Sequence, residues 1–281
     1  MKWIGRRQSG NVEDRRGISG KSIAGIGGVG GIIIAIIFAL MGGDTSQIFN
    51  ALENSTQEQE TSQSETRYDS LAQFTAVVLA DTEDVWDSLF TGMGKTYVKP
   101  KLVLFTNSVE SACGNASSSV GPFYCSGDSK VYIDLAFLEE LQGKIEAEGD
   151  FAQAYIIAHE VGHHVQNLLG ILDKVHAKKS SLSESEYNDL SVRLELQADF
   201  LSGVWAHYAQ KMKSILEAGD IEEAMNASAA VGDDKIQIKS QGYVVPDAFT
   251  HGTSKQRTKW FMLGFNSGDL AKGDTFGATV L

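Results

Sequence analysis

"AYIIAHEVGHHVQNLLG", residues 154–170, sets three histidines and one glutamate in an otherwise apolar run. Its apolar positions recur at helical spacing, which predicts a helix over 151–171. Residues four apart share a helix face, so His159 and His163 can aim their imidazoles at one point and grip a metal ion. Glu160 lies about 100° around the axis from His159, too far round to be a third ligand but within reach of a water beside the ion. Its expected role is general base. His164, five residues from His159, faces elsewhere and reads as a packing or supporting residue. The flanking Tyr155, Ile156, Ile157, Ala158, Val161 and Val165 indicate a buried helix, for which the competing reading is a pair of core histidines.

A catalytic zinc site takes three protein ligands and keeps one position open. The continuation H-E-x-x-H-x-x-G-x-x-H would need glycine and histidine where Gln166 and Leu169 stand, so the third ligand is sought on another helix. "VRLELQADFLSGVW" (192–205) offers Glu195 and, one turn on, Asp199, both among apolar residues that argue against a solvated face. Glu195 is the expected third ligand, ahead of Asp199, His176, His207 and His251. Asp199 is expected to accept the second ring N–H of a liganding histidine. In "HGTSKQR" (251–257), His251 is a candidate donor to the oxyanion of a tetrahedral intermediate, against a plain loop histidine before a helix capped by Ser254. Arg257 either pairs with an acid of the site or solvates its helix.

Outward from this site, "DSLAQFTAVVLADTEDVWDSLF" (69–90) has helical periodicity, and "KLVLFT" (101–106), "GPFYCS" (121–126) and "KVYIDL" (130–135) read as strands. Ser126–Ser129 has the composition of a hairpin turn. The strand holding Tyr132 and Asp134 could offer an edge to an extended peptide. Helical patterns follow over 136–146, 184–212, 220–230 and 254–265. Strands first and helices after make an α+β fold with a small antiparallel or mixed sheet.

Before the domain, the first 22 residues hold Lys2, Arg6, Arg7, Arg15, Arg16 and Lys21 against Glu13 and Asp14. Residues 23–43, "IAGIGGVGGIIIAIIFALMGG", carry no charge and are long enough to cross a hydrocarbon core of about 30 Å. The expected order is a basic cytoplasmic tail (1–22), one transmembrane helix (23–43), a polar linker (44–68) and an extracytoplasmic domain (69–281), since basic flanks stay inside. The bilayer is thus a partner through residues 23–43. Gly25, Gly27 and Gly30 match a dinucleotide fingerprint formally but lack its strand and helix. A net charge of −12 argues against nucleic acid as a partner. Two cysteines, Cys113 and Cys125, fit one small disulfide loop in an oxidising compartment.

"HEVGHHVQNLLGI", "RLELQADFLSGVWAHY", "CGNASSSVGPFYCSGDSKVYIDLAFLEEL" and "HGTSKQRTKWFMLGF", with the basic "RRQSGNVEDRRG", resemble the bacterial YpfJ-type neutral zinc metallopeptidases over nearly the whole chain. The resemblance implies a zincin-like domain in the bacterial inner membrane, Zn²⁺ held by His159, His163 and Glu195, Glu160 as base and a peptide or protein substrate. It also pairs Cys113 with Cys125. The expected function is zinc-dependent hydrolysis of peptide bonds; the competing one is a zinc-binding membrane scaffold without catalysis.

Overall fold

In a computed structural model of the chain, residues 1–16, 58–117, 121–144 and 149–281 are described. The expected membrane segment, 23–43, lies outside them; among the described residues no helix is long and apolar enough to cross a membrane. In chain order the elements are β1 (Val12–Asp14), α1 (Glu58–Gly92), β2 (Lys101–Phe105), β3 (Ser108–Ser111), β4 (Gly114–Ser117), β5 (Phe123–Cys125) and β6 (Lys130–Asp134). The helices α2 (Leu135–Lys144), α3 (Asp150–Leu168), α4 (Ile171–His176), α5 (Glu184–Lys213), α6 (Asp220–Ala230), α7 (Asp233–Gln241) and α8 (Ser254–Ser267) follow. The α+β order matches the expectation, and the sheet is mixed: β1, β2 and β6 run parallel, with β5 antiparallel at the edge beside β6.

Three differences bear on function. First, β6 is interior, so Tyr132 and Asp134 present no edge; the exposed edge of this sheet on that side is β5. Second, residues 58–68, read as linker, are the opening turns of α1. Their Glu and Gln content suits a solvated helix as well as a linker, and polarity alone does not separate the two. Third, residues 1–16 are no free tail. Strand β1 pairs with β2 through Val12–Leu102, Glu13–Val103 and Asp14–Leu104, and Met1 is buried with its amine against Asp150. The reason lies in α1, where Asp81 and Glu83 are buried. A buried carboxylate needs partners. Arg6 donates to Asp81 at 2.7 Å, and Ser9 Oγ and Asn11 Nδ2 donate to Glu83 Oε1 at 2.5 and 2.7 Å. Arg7 bridges Glu83 and Asp84.

The helices pack around an aromatic core that includes Trp86, Phe151, Trp205, Phe200 and Phe261. Helix α5 starts at a capping box, Ser183 with Glu186, and α8 at another, Thr253 with Gln256, so the cap lies one residue before the expected Ser254. Helices α5 and α8 touch backbone to backbone. A Cβ on Gly203 would lie 2.1 Å from the Phe261 carbonyl oxygen, and one on Gly264 would lie 2.1 Å from that of Phe200. Only glycine permits this approach, which carries Arg257 of α8 in to Asp199 of α5. The Cys113–Cys125 disulfide is formed and ties the turn between β3 and β4 to the end of β5.

Candidate metal centre

The apolar face of α3 packs on α5, and at Gly162 the two helices come so close that a Cβ would lie 3.0 Å from the Ala198 carbonyl oxygen. That approach sets His159 and His163, on either side of Gly162, against Glu195. His159 Nε2 lies 3.1 Å from Glu195 Oε2, and His163 Nε2 lies 3.3 Å from Glu195 Oε1. One ligand atom from each of the three lies within 4.8 Å of the others. Zinc bound tetrahedrally at about 2.0–2.1 Å holds its ligand atoms roughly 3.3 Å apart, which these separations match.

Outer partners decide which nitrogen of each ring faces the centre. His159 Nδ1 lies 2.9 Å from Asp199 Oδ1 and His163 Nδ1 lies 2.9 Å from Gln166 Oε1. Both oxygens accept, so both Nδ1 atoms carry a proton and both Nε2 atoms are the ones turned toward Glu195. Gln166 is itself held, donating to the Leu194 carbonyl and to Gln197. The donor set of two imidazoles and a carboxylate suits zinc.

The local field favours a cation here. Burial alone would lower His159, but Asp199 and Glu195 together raise it to about 10. Glu195 sits well below the usual carboxylate range despite its burial, because His163 and His159 face it. Asp199, fully buried, is also held low: Arg257 grips it with Nε on Oδ2 at 2.8 Å and Nη2 on Oδ1 at 2.9 Å, and Tyr155 donates its hydroxyl to Oδ1. Arg257 therefore takes the pairing role of its two expected alternatives.

Glu160 is buried and lines a cavity of about 390 Å³ together with His159, His163, Glu195, His251 and Arg257. A second cavity of about 220 Å³ also borders His163 and Glu195, with Leu172, Val175 and Leu194 in its wall. Tyr124 of the edge strand borders both. Its hydroxyl donates to His164 Nδ1 at 3.1 Å and accepts from Asn167, while His164 Nε2 donates to the Val98 carbonyl. His164 thus fastens β5 to α3. His251 lines the larger cavity, half exposed, with Nδ1 donating to Asp233 Oδ1 at 3.1 Å. Asp233 Oδ2 accepts the backbone N–H groups of Thr250, His251 and Gly252, so one carboxylate shapes the whole turn and raises the imidazole above its ordinary value.

Of the other candidates, His176 borders the smaller cavity but is outside the ligand group, and His207 bonds the Phe265 carbonyl in the α5–α8 contact. Sequence reading missed Tyr155, Gln166, Asp233 and Tyr124. Gln166 had a signal, standing three residues beyond His163 on the same helix face.

A family model described as "Putative neutral zinc metallopeptidase" matches residues 1–276. The chain belongs to this family. Its relatives include "Uncharacterized protein YpfJ" of Escherichia coli strain K12, 49% identical over 288 residues that cover 100% of both chains. "Uncharacterized protein Rv2575" of Mycobacterium tuberculosis strain H37Rv is 42% identical over 207 residues, 70% of this chain and 68% of that one. No solved structure matches the chain. The family description is in accord with a metal group of His159, His163 and Glu195.

Proposed function

We propose that this chain is a zinc-dependent endopeptidase, held at the bacterial inner membrane through residues 23–43 with its domain outside the cytoplasm. The observation that carries the reading is the convergence of His159, His163 and Glu195 with Glu160 on one cavity. Zinc held by those three side chains supplies Lewis-acid polarisation of the scissile carbonyl and lowers the pKa of water toward about 7. Glu160 takes the proton from the attacking water and delivers it to the leaving amine. His251, its Nδ1 occupied by Asp233, offers the other ring nitrogen to the developing oxyanion.

Cleavage inside a chain, not at its ends, is supported by the charges around the cleft. Both cavities border His163, Glu195 and Tyr124 of the edge strand, so an extended peptide pairing along β5 would run beside both. Among the described lining residues Arg257 is the one Lys or Arg, and Asp199 already occupies it. Glu160 and Glu195 are committed to chemistry and metal. Among the described residues, with His251 given to the oxyanion, no lining charge is left to fix a terminal carboxylate or ammonium. The uncharged composition of 23–43 supports the bilayer, and the Cys113–Cys125 disulfide supports an oxidising compartment.

The test uses the full chain in detergent, with bound zinc measured by elemental analysis and hydrolysis followed on mixed internally quenched peptides. Glu160→Gln should keep zinc and lose about 10²-fold or more in rate, while Glu195→Ala should lose zinc. Full zinc occupancy in Glu195→Ala overturns the ligand set. A zinc-loaded wild-type chain that cuts no peptide supports the scaffold instead.

A further inference from the structure

The order of tail, single span and domain places residues 1–16 and 58–281 on opposite faces of a bilayer, yet the two are one folded unit. Strand β1 is an edge of the domain's own sheet. Glu83, 1% exposed, takes two of its hydrogen bonds from Ser9 and Asn11, and Asp81, 2% exposed, takes an ion pair from Arg6. Glu13 is bridged by Lys101 and Lys130 from β2 and β6. No bilayer can lie between partners at such distances. The basic groups that would mark the tail as cytoplasmic are also those the domain uses: Arg6, Arg7 and Arg16 all pair with acids of α1.

We propose that residues 1–16 and 58–281 share one side of the membrane, and that the connecting residues 17–57 start and finish on that side. The chain enters that connection beside α1. Arg16 Nη1 lies 3.1 Å from Asp69 Oδ1, eleven residues into α1, so β1 ends against the first half of that helix. The inference rests on strand pairing and ion pairs alone and is independent of the peptidase reading.

Two exposed positions report the sides. Ile4 is 84% exposed and Val280 is 73% exposed, so Ile4→Cys and Val280→Cys leave the packing untouched, and both native cysteines are engaged in the disulfide. Each full-length variant is made in bacteria and treated with a membrane-impermeant maleimide, in spheroplasts and after detergent lysis, with the unsubstituted chain as background. The expected result is labelling of both positions in spheroplasts. Labelling of both only after lysis keeps the shared side and overturns the extracytoplasmic placement. Labelling of one position in spheroplasts and the other only after lysis overturns the proposal.

Discussion

Arg257 grips Asp199 with two parallel hydrogen bonds in the interior of the protein, and the same carboxylate oxygen that takes Arg257 Nη2 also takes the proton of His159 Nδ1. A buried aspartate that orients His159 thus has its charge balanced from α8. Removing one member of a buried pair leaves an uncompensated charge, which costs about 3–5 kcal/mol. Arg257→Leu is expected to destabilise the protein by that amount in chemical denaturation. Unchanged stability would show that the pair is not what holds α8 on α5.

Asp199→Asn keeps the shape of the network and weakens its hold on the His159 tautomer. Loss of such an outer partner typically costs about 10–100-fold in metal affinity. Competition with a calibrated chelator should read that drop, while Gln166→Leu should produce a similar one through His163. Affinity equal to wild type in both variants would mean that the rings orient without these partners.

His251 should set the alkaline side of the activity profile. Asp233 raises the imidazole, so the cationic donor persists above the ordinary histidine value of 6.5 and is lost as pH rises through the raised one. Asp233→Asn removes the charge that does this, and the alkaline limb of kcat/KM should move to lower pH. His251→Ala should abolish that limb and reduce kcat by about 10²–10³-fold. An unmoved limb in Asp233→Asn would assign it to another group.

The docking of β1 has its own pH signature. Arg15, with Lys101 and Lys130, lowers Glu13 from 4.5 to about 2. A carboxyl depressed in the fold adds stability that is complete above its unfolded value and fades as pH falls from about 4.5 toward 2. Glu13→Gln should therefore melt below wild type at neutral pH, and the gap should close under acid. A constant gap down to pH 2 would show that Glu13 is not ionically held.

Gly264→Ala tests the helix contact that brings Arg257 inward. An added methyl would meet the Phe200 carbonyl oxygen, and overpacking of this kind costs about 1–3 kcal/mol, more where backbone opposes backbone. The expected readout is a lower melting temperature with reduced zinc occupancy, because α8 must withdraw. Unaltered values for both would show that the helices separate freely.

How much of this was legible depended on the range of each interaction. His159, Glu160 and His163 are readable because helical periodicity places them before any tertiary contact is known. Glu195 and Asp199 were readable by the same rule, one turn apart in a stretch too apolar for a solvated face. The partnership of Asp233 with His251 joins a loop to the start of α7 across eighteen positions that obey no period. The docking of residues 1–16 spans still more chain. A trace of it stood in "VVLADTEDVW", where acids interrupt an apolar helix and are buried with it, but nothing local says which basic residues answer them. Read apart from the domain, those basic residues suggested a topological tail.

The glycine contacts of Gly162 with α5 and of Gly203 with α8 have one more consequence. They fix the spacing of the three helices that carry the histidines, Glu195, Asp199 and Arg257, without help from the segments joining them. Connections such as 177–183 and 214–219 can therefore lengthen or shorten over evolutionary time with little disturbance to the centre, whereas a single methyl at a crossing point would disturb it. Members of this family should differ in their connections far more than in Gly162, Gly203 and Gly264.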